Sequence, residues 1–202
     1  MESQDNQELE LRMYGIVPYN ISEIQKGIQF GHAVVEYGLN FFNDPLYQEW
    51  ANKWKTFIIL NGGTSNHSRN RYQSGEYWGT MEINCQELLN HNVKIAEFYE
   101  PDLNDMLSAV VFIVDERVFN KEKWPDFNLD DFYTDNEYKK IAINEISKNW
   151  MNPDFPKITD GNDDYILYHN KLIKSEWEKW VHSIGGYQNL FLRNFLKNLR
   201  LA

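Results

Sequence analysis

The chain changes its hydrophobic period as it runs. Leu11–Tyr19 is an apolar-rich run closed by Pro18 and the turn-prone Asn20, and it predicts a first strand. From Ser22 onward, Ile24, Ile28, Gly31, Val35, Leu39 and Phe42 recur at helical spacing and predict a helix that turns this stripe to a core. Ser22 followed three residues later by Gln25 has the spacing of a capping box, in which each side chain satisfies a backbone N–H at the helix start. Beside the stripe, Gln25, Gln29, His32 and Glu36 follow spacings of four, three and four and line up as one polar row. Gly27 and Gly31 each cost roughly 1 kcal/mol of helix propensity relative to alanine, so the pair predicts a chain segment or ligand lying close against the bared backbone.

Asn43-Asp44-Pro45 breaks this helix, and Leu46–Lys53 reads as a short second one, near Trp50 and Trp54. Thr56–Leu60 is a short continuous apolar run, the pattern of a strand covered on both faces. Asn61-Gly62-Gly63-Thr64 ends it and opens a polar stretch through Thr80. A loop beyond about 12 to 15 residues is usually either functional or disordered. Glu82–Asn90 is expected as a helix with Leu88 and Leu89 inward, then Lys94–Tyr99 and Leu107–Asp115 as strands. Strands alternating with helices indicate an α/β fold: three layers, a mixed four-stranded sheet with helices on both faces. Past about residue 120, turn-forming clusters such as Trp124-Pro125-Asp126 and Asp160-Gly161-Asn162-Asp163-Asp164 punctuate short helical segments. The expected organisation is therefore an α/β domain over 1–120 and a helical, irregular extension over 121–202 packed on it. Its helices are predicted over 136–149, over 165–182 with an apolar stripe of Trp177, Trp180, Val181 and Ile184, and from Gln188 to Leu201. In the last, Leu192, Phe195, Leu196 and Leu199 form the buried face, while Arg193, Lys197 and Arg200 share another.

At 202 residues and 42% hydrophobic content the chain can fill a core. A single cysteine, Cys85, excludes an internal disulfide and a multi-cysteine zinc site and agrees with a reducing compartment. Met1–Glu10 is polar and acidic, and no apolar run approaches the roughly 18 residues of a membrane span, so the expected setting is the cytoplasm with no membrane partner. The net charge is −10, and it is unevenly placed: residues 1–120 carry 8 Lys and Arg against 17 Asp and Glu, the rest 12 against 13. An acidic domain lacks the basic footprint of a general nucleic-acid binder, although Lys53, Lys55, Arg69 and Arg71 can hold one phosphate or a few. The five histidines show no paired ligand spacing and the Asp160–Asp164 cluster no calcium-loop pattern, so neither a metal nor another cofactor is implied.

A second segment, Phe98-Tyr99-Glu100-Pro101-Asp102-Leu103-Asn104, joins two predicted strands, and Ser108 follows it. Ligand sites of α/β sheets collect at strand ends, so Glu100, Asp102 and Ser108 are placed to meet the polar row of the first helix. Over about residues 10–119 this arrangement resembles the type II peptidyl-tRNA hydrolase family: Gln29-Phe30-Gly31-His32-Ala33 on a capped first helix, and an acidic turn before a hydroxyl-led apolar strand. Gln29, His32 and Ala33 fit the helix pattern, Lys26 in Gln25-Lys26-Gly27 lies near the family lysine, and Glu100 or Asp102 with Ser108 stand for the acidic and hydroxyl residues. The long Gly-Gly-Thr loop and the tail bearing Phe191-Leu192-Arg193-Asn194-Phe195-Leu196 are similar to those of divergent members encoded by bacteriophages, which would place the protein in the host cytoplasm.

The resemblance implies hydrolysis of an ester at a nucleotide or tRNA 3′ end. A carboxylate at Glu100 or Asp102 would activate water, Lys26 would stabilise the oxyanion, and His32 or Ser108 would position the leaving group. Gln25, Gln29 and Glu36 would line the ligand site. Two other readings stand beside it. One is a non-catalytic binder that sequesters a small nucleotide or signalling metabolite as a counter-defence, with Gly62, Gly63 and Thr64 as an anion nest, Arg69 and Arg71 on phosphate, and Tyr72, Tyr77 or Trp78 stacked on a base. The other is an acidic inhibitor that occupies a partner protein's nucleic-acid site. A homodimer is compatible with all three.

Overall fold

The computed structural model describes residues 8–66, 78–128 and 164–202, the last with side chains from 174. Its elements are β1 (Leu11–Pro18), α1 (Glu23–Phe41), α2 (Pro45–Glu49) continued by a π-turn (Trp50–Trp54), β2 (Thr56–Gly63), α3 (Thr80–Asn90), β3 (Ile95–Glu100), a 3-10 turn (Pro101–Leu103), β4 (Met106–Asp115), α4 (Glu116–Phe119), α5 (Asp164–Ser183), α6 (Tyr187–Lys197) and β5 (Arg200–Leu201). The helix predicted over 136–149 lies outside the described residues. The fold is the expected mixed α/β one, with a sheet ordered β3-β4-β1-β2-β5. A correction concerns the end of the chain: the last helix stops at Lys197, and Arg200 and Leu201 form a fifth strand paired antiparallel to Asn61 and Leu60. The gain is physical, since β2 would otherwise present an unpaired edge.

β1 runs parallel to β2 and antiparallel to β4, and β3 runs antiparallel to β4. The pairings Pro18↔Gly63, Ile16↔Val110 and Glu100↔Met106 bring the C-terminal ends of β1, β2 and β3 and the start of β4 to one end of the sheet. The starts of α1 and α3 follow at that same end. Successive β1 residues face opposite sides. Gly15 faces α1: a Cβ built there would lie 2.4 Å from Cε2 of Phe30 and 2.9 Å from Cγ1 of Val111, so only glycine lets the helix settle this close. Ile16 faces the other way, toward Met81 of α3. The α1 side holds a core of Leu11, Met13, Val17, Phe30, Ala33, Tyr37, Trp50 and Val111 among others. On the opposite side Phe112 meets Phe195 of α6 edge-on at 6.2 Å.

The largest departure from expectation is the orientation of α1. The helix starts where predicted, with Ser22 Oγ accepting from the Gln25 amide at 3.3 Å. Its buried residues, however, are Lys26, Gln29, Phe30, Ala33 and Tyr37, whereas Ile24, Ile28, Val35, Leu39 and Phe42, the predicted core stripe, are exposed. Two apolar stripes share this helix, and the one carrying Phe30 and Tyr37, with Phe41 half-buried, packs aromatic area onto the sheet. Leu89 of α3 is exposed while Leu88 is fully buried. Arg193, expected on a charged face of the last helix, is buried and donates to the backbone carbonyl of Arg117.

Backbone contacts divide the chain into two compact units, Met1–Phe119 with Leu192–Ala202, and Asn120–Phe191. The first therefore includes the end of the region that the sequence assigned to the extension. Within the second, Trp177, Val181, Ile184 and Leu190 cluster with Phe127 and Trp180, as the predicted apolar stripe required, and Trp180 Nε1 donates to the Pro125 carbonyl at 2.9 Å. Among the described residues no helix is long and apolar enough to cross a membrane.

Two stability predictions follow from this packing. Gly15→Ala should overpack the α1 interface and lower unfolding free energy by about 1–3 kcal/mol, read from urea melts with the denaturant slope unchanged. Asp44 accepts from the Leu46 amide at 2.9 Å as the α2 N-cap, and the Lys94 ammonium bonded to it holds its carboxyl below the usual range. A depressed folded-state value adds stability that is present above the unfolded value and lost as pH falls through the folded one. Asp44→Ala should therefore cost about 1 kcal/mol at pH 7 and progressively less as pH drops below about 4.

Candidate functional site

At the sheet end where β1, β2 and β3 finish, the sequence has buried a polar side chain deliberately. Gln29 sits on the inner face of α1 and is 1% exposed. Its Nε2 donates to Glu100 Oε2 at 2.5 Å and to Gln25 Oε1 at 3.3 Å, and its Oε1 accepts from Ser108 Oγ at 2.8 Å. The amide orientation is fixed by chemistry, since an ionised carboxylate only accepts and so must face the NH2 group. Ser108 also lies 3.1 Å from the Phe98 carbonyl. That a residue of β4 reaches α1 here depends on a break in register: Phe98 pairs with Ala109 but Tyr99 with Leu107, which leaves Ser108 as the extra residue of a β-bulge. Bulges re-aim side chains in this manner. Glu100 Oε1 in turn accepts from the Asp102 amide at 3.3 Å and holds the Pro101–Leu103 turn in place. Asn104 and Asp105 complete that turn at positive φ, a conformation short polar side chains tolerate.

The remaining predicted residues are distributed around this triad. Lys26, one turn before Gln29, has 8% exposure, and its ammonium pairs with the exposed Glu23 at 2.8 Å. Asp102 is exposed on the turn, at the rim. His32 is exposed one turn further along α1 and stacks on Phe98 with ring centres 4.6 Å apart. Glu36 is half-buried a further turn away. The sequence thus assembled Gln25, Gln29, Glu100 and Ser108 correctly as neighbours. His32 stacks on Phe98 beside this set, and Glu36 lies a turn further along the helix.

The Gly62-Gly63-Thr64 segment serves a different purpose from the one expected. Gly63 has φ +88°, and a Cβ there would meet Thr80 Oγ1 at 1.8 Å. The Gly63 amide donates to Asn61 Oδ1 at 2.8 Å and the Thr64 amide to Thr80 Oγ1 at 2.7 Å. The donors that an anion nest needs from these two residues are spent inside the protein. Instead the segment is one side of a neck. The Thr64 carbonyl accepts from the Met81 amide at 3.0 Å, and Glu82, fully buried, accepts from Ser65 Oγ at 2.6 Å and from the Gly79 amide at 2.9 Å. Both ends of the 66–78 connection are tied to one carboxylate. Sequence reasoning missed Glu82, although an acid three residues after a helix N-cap is a recognisable signal. With β4 and β1 between β2 and β3, strand spacing puts the neck about 14 Å from Glu100 along the sheet end.

Arg69, Arg71, Tyr72 and Tyr77 lie outside the described residues. Lys53 and Lys55 precede β2, whereas Gly63 ends it, so they stand at the opposite end of the sheet from the neck; Lys53 pairs with Glu8. The basic cluster expected from these lysines with Arg69 and Arg71 is thus not assembled by the described residues. Cys85 is buried, its Sγ 3.0 Å from Glu97 Oε1.

No protein-family model and no curated protein matches the chain. The geometry alone carries the chemistry. It offers a preorganised amide–carboxylate–hydroxyl triad inside, and an ammonium, a carboxylate and an imidazole near its rim.

The triad makes its own prediction. Gln29→Leu removes one hydrogen bond from the half-buried Glu100 carboxylate and one from the Ser108 hydroxyl and should cost about 1–3 kcal/mol. Ser108→Ala should cost about 1 kcal/mol. Because both act on one network, urea melts of the double variant should show less than the sum.

Proposed function

We propose that this sheet end is the active site of an ester hydrolase that removes an acyl or peptidyl group from the 3′ end of a nucleotide or tRNA, as the resemblance to type II peptidyl-tRNA hydrolases implies. The observation that carries the reading is the Glu100–Gln29–Ser108 network, buried at Gln29 and Ser108 and half-buried at Glu100, which fixes the turn bearing Asp102 against the helix bearing Lys26. Rigid support of this kind is what a site for oriented attack requires.

The roles divide by what each group is free to do. Glu100 and Ser108 are engaged with Gln29 and act as positioning residues. Asp102, exposed on the turn, takes the proton of the attacking water as its oxygen bonds to the ester carbonyl carbon. Lys26 meets the oxyanion that forms; its present partner Glu23 is exposed, and a surface ion pair of that type is worth only about 0–1 kcal/mol, so the ammonium is cheaply released. When the tetrahedral intermediate collapses, the carbon–oxygen bond to the ribose breaks and the ribose oxygen takes up the proton that Asp102 removed from water. His32, held flat against Phe98, is the group beside that oxygen.

The test is release of labelled N-acylaminoacyl groups from acyl-tRNA by the purified chain. Lys26→Ala and Asp102→Ala should each slow it about 100-fold or more. Absence of release by the unaltered chain, or equal release by the double variant, overturns the proposal. Recovery of a stoichiometric, uncleaved nucleotide would favour the sequestering reading instead.

A further inference from the structure

We propose that the outer face of α1 is a homodimer interface, closed by a two-fold axis passing near Gly31. Ile24, Ile28, Val35, Leu39 and Phe42 are 77%, 45%, 61%, 72% and 64% exposed on one side of the helix. Together those exposures amount to about 600 Å² of apolar side chain, at the upper edge of the roughly 300–600 Å² that a monomer's largest patch reaches.

Three further observations identify the occupant as a second copy. First, the stripe is self-complementary. The residues fall symmetrically about a point just after Gly31, so an antiparallel copy sets Ile24 against Leu39 and Ile28 against Val35, as an isologous contact demands. Second, Gly27 and Gly31 lie on this face, and a Cβ at either would meet nothing within 4 Å. Their cost of roughly 1 kcal/mol each in helix propensity has no return among the described residues, but glycine at a crossing point lets two helices approach to the short end of the roughly 8–10 Å range. Third, two copies of the patch amount to about 1,200 Å², which enters the size range of specific interfaces. The stripe itself holds no charged residue, so two copies meet there without placing like charges in contact. The interface uses the face of α1 opposite Lys26 and Gln29, and the exposed His32, four residues after Ile28 and three before Val35, lies at its border.

Sedimentation equilibrium of the full chain should return twice the 24.1 kDa chain mass at micromolar concentration. Gly31→Glu places like charges at the two-fold axis while improving helix propensity, so it should sediment as a monomer with unchanged far-ultraviolet dichroism and no loss of thermal stability. Asn40→Glu, exposed on the same helix but off the stripe, should remain dimeric. Oxidation of an Ile24→Cys, Leu39→Cys variant should give a covalent dimer. A monomeric unaltered chain, a Gly31→Glu variant that stays dimeric, or purification in a stable complex with a different protein bound at this stripe would each overturn the proposal.

Discussion

The arrangement of this sheet end depends on one buried amide. Gln29 bonds a helix to two strands at once: to Glu100 at the end of β3 and to Ser108 on β4. An apolar side chain of similar volume would bury as much surface, but it would take one bond from the carboxylate, which keeps the Asp102 amide, and one from the hydroxyl, which keeps the Phe98 carbonyl, at a cost of about 1–3 kcal/mol in all. The three residues therefore stand or fall together. Their joint effect is to specify where α1 sits along the sheet and how far the Pro101–Leu103 turn projects, both of which a purely apolar contact would define less sharply.

That specification explains why α1 buries the face it does. Read by periodicity, the aliphatic set Ile24, Ile28, Val35, Leu39 and Phe42 is the cleaner stripe, and the polar residues beside it look solvated. The structure inverts this, burying Gln29 and Lys26 with Phe30, Ala33 and Tyr37. A helical wheel weighs hydrophobicity, and it has no way to value a glutamine whose partners lie 71 and 79 residues away. Nor can it know that Gly15 leaves room for the Phe30 ring. The helix has two buriable faces, and long-range hydrogen bonding chose between them.

Where the outcome depended on local chemistry, the sequence was legible. Ser22 announced the start of α1, apolar runs marked β2 and β4, and the Pro101 turn was correctly set between two strands. Its reach failed where an outcome required pairing partners. The fifth strand is two residues long and exists because β2 has an edge to cover. The Gly62-Gly63-Thr64 segment at the end of β2 advertised an anion site, yet the Gly63 amide serves Asn61 and the Thr64 amide serves Thr80. Glu82, a buried carboxylate at the neck, was passed over because an acid in a first helical turn ordinarily meets solvent and the helix dipole.

The charge distribution bears on what such a site can accept. Residues 1–120 carry a net −9, so a long polyanion approaching this domain meets repulsion over its whole length, and electrostatic steering works against it. At physiological ionic strength, however, charges more than about 8 Å apart are largely screened. A terminal nucleotide that enters alone meets only the groups immediately around it: Lys26 with its partner Glu23, and the carboxylates of Glu100 and Asp102. The acidity thus discriminates by ligand size more than by ligand chemistry. It disfavours the body of a nucleic acid and, on the proposed hydrolase reading, leaves a 3′ end or a free acylated nucleotide as the less opposed ligand.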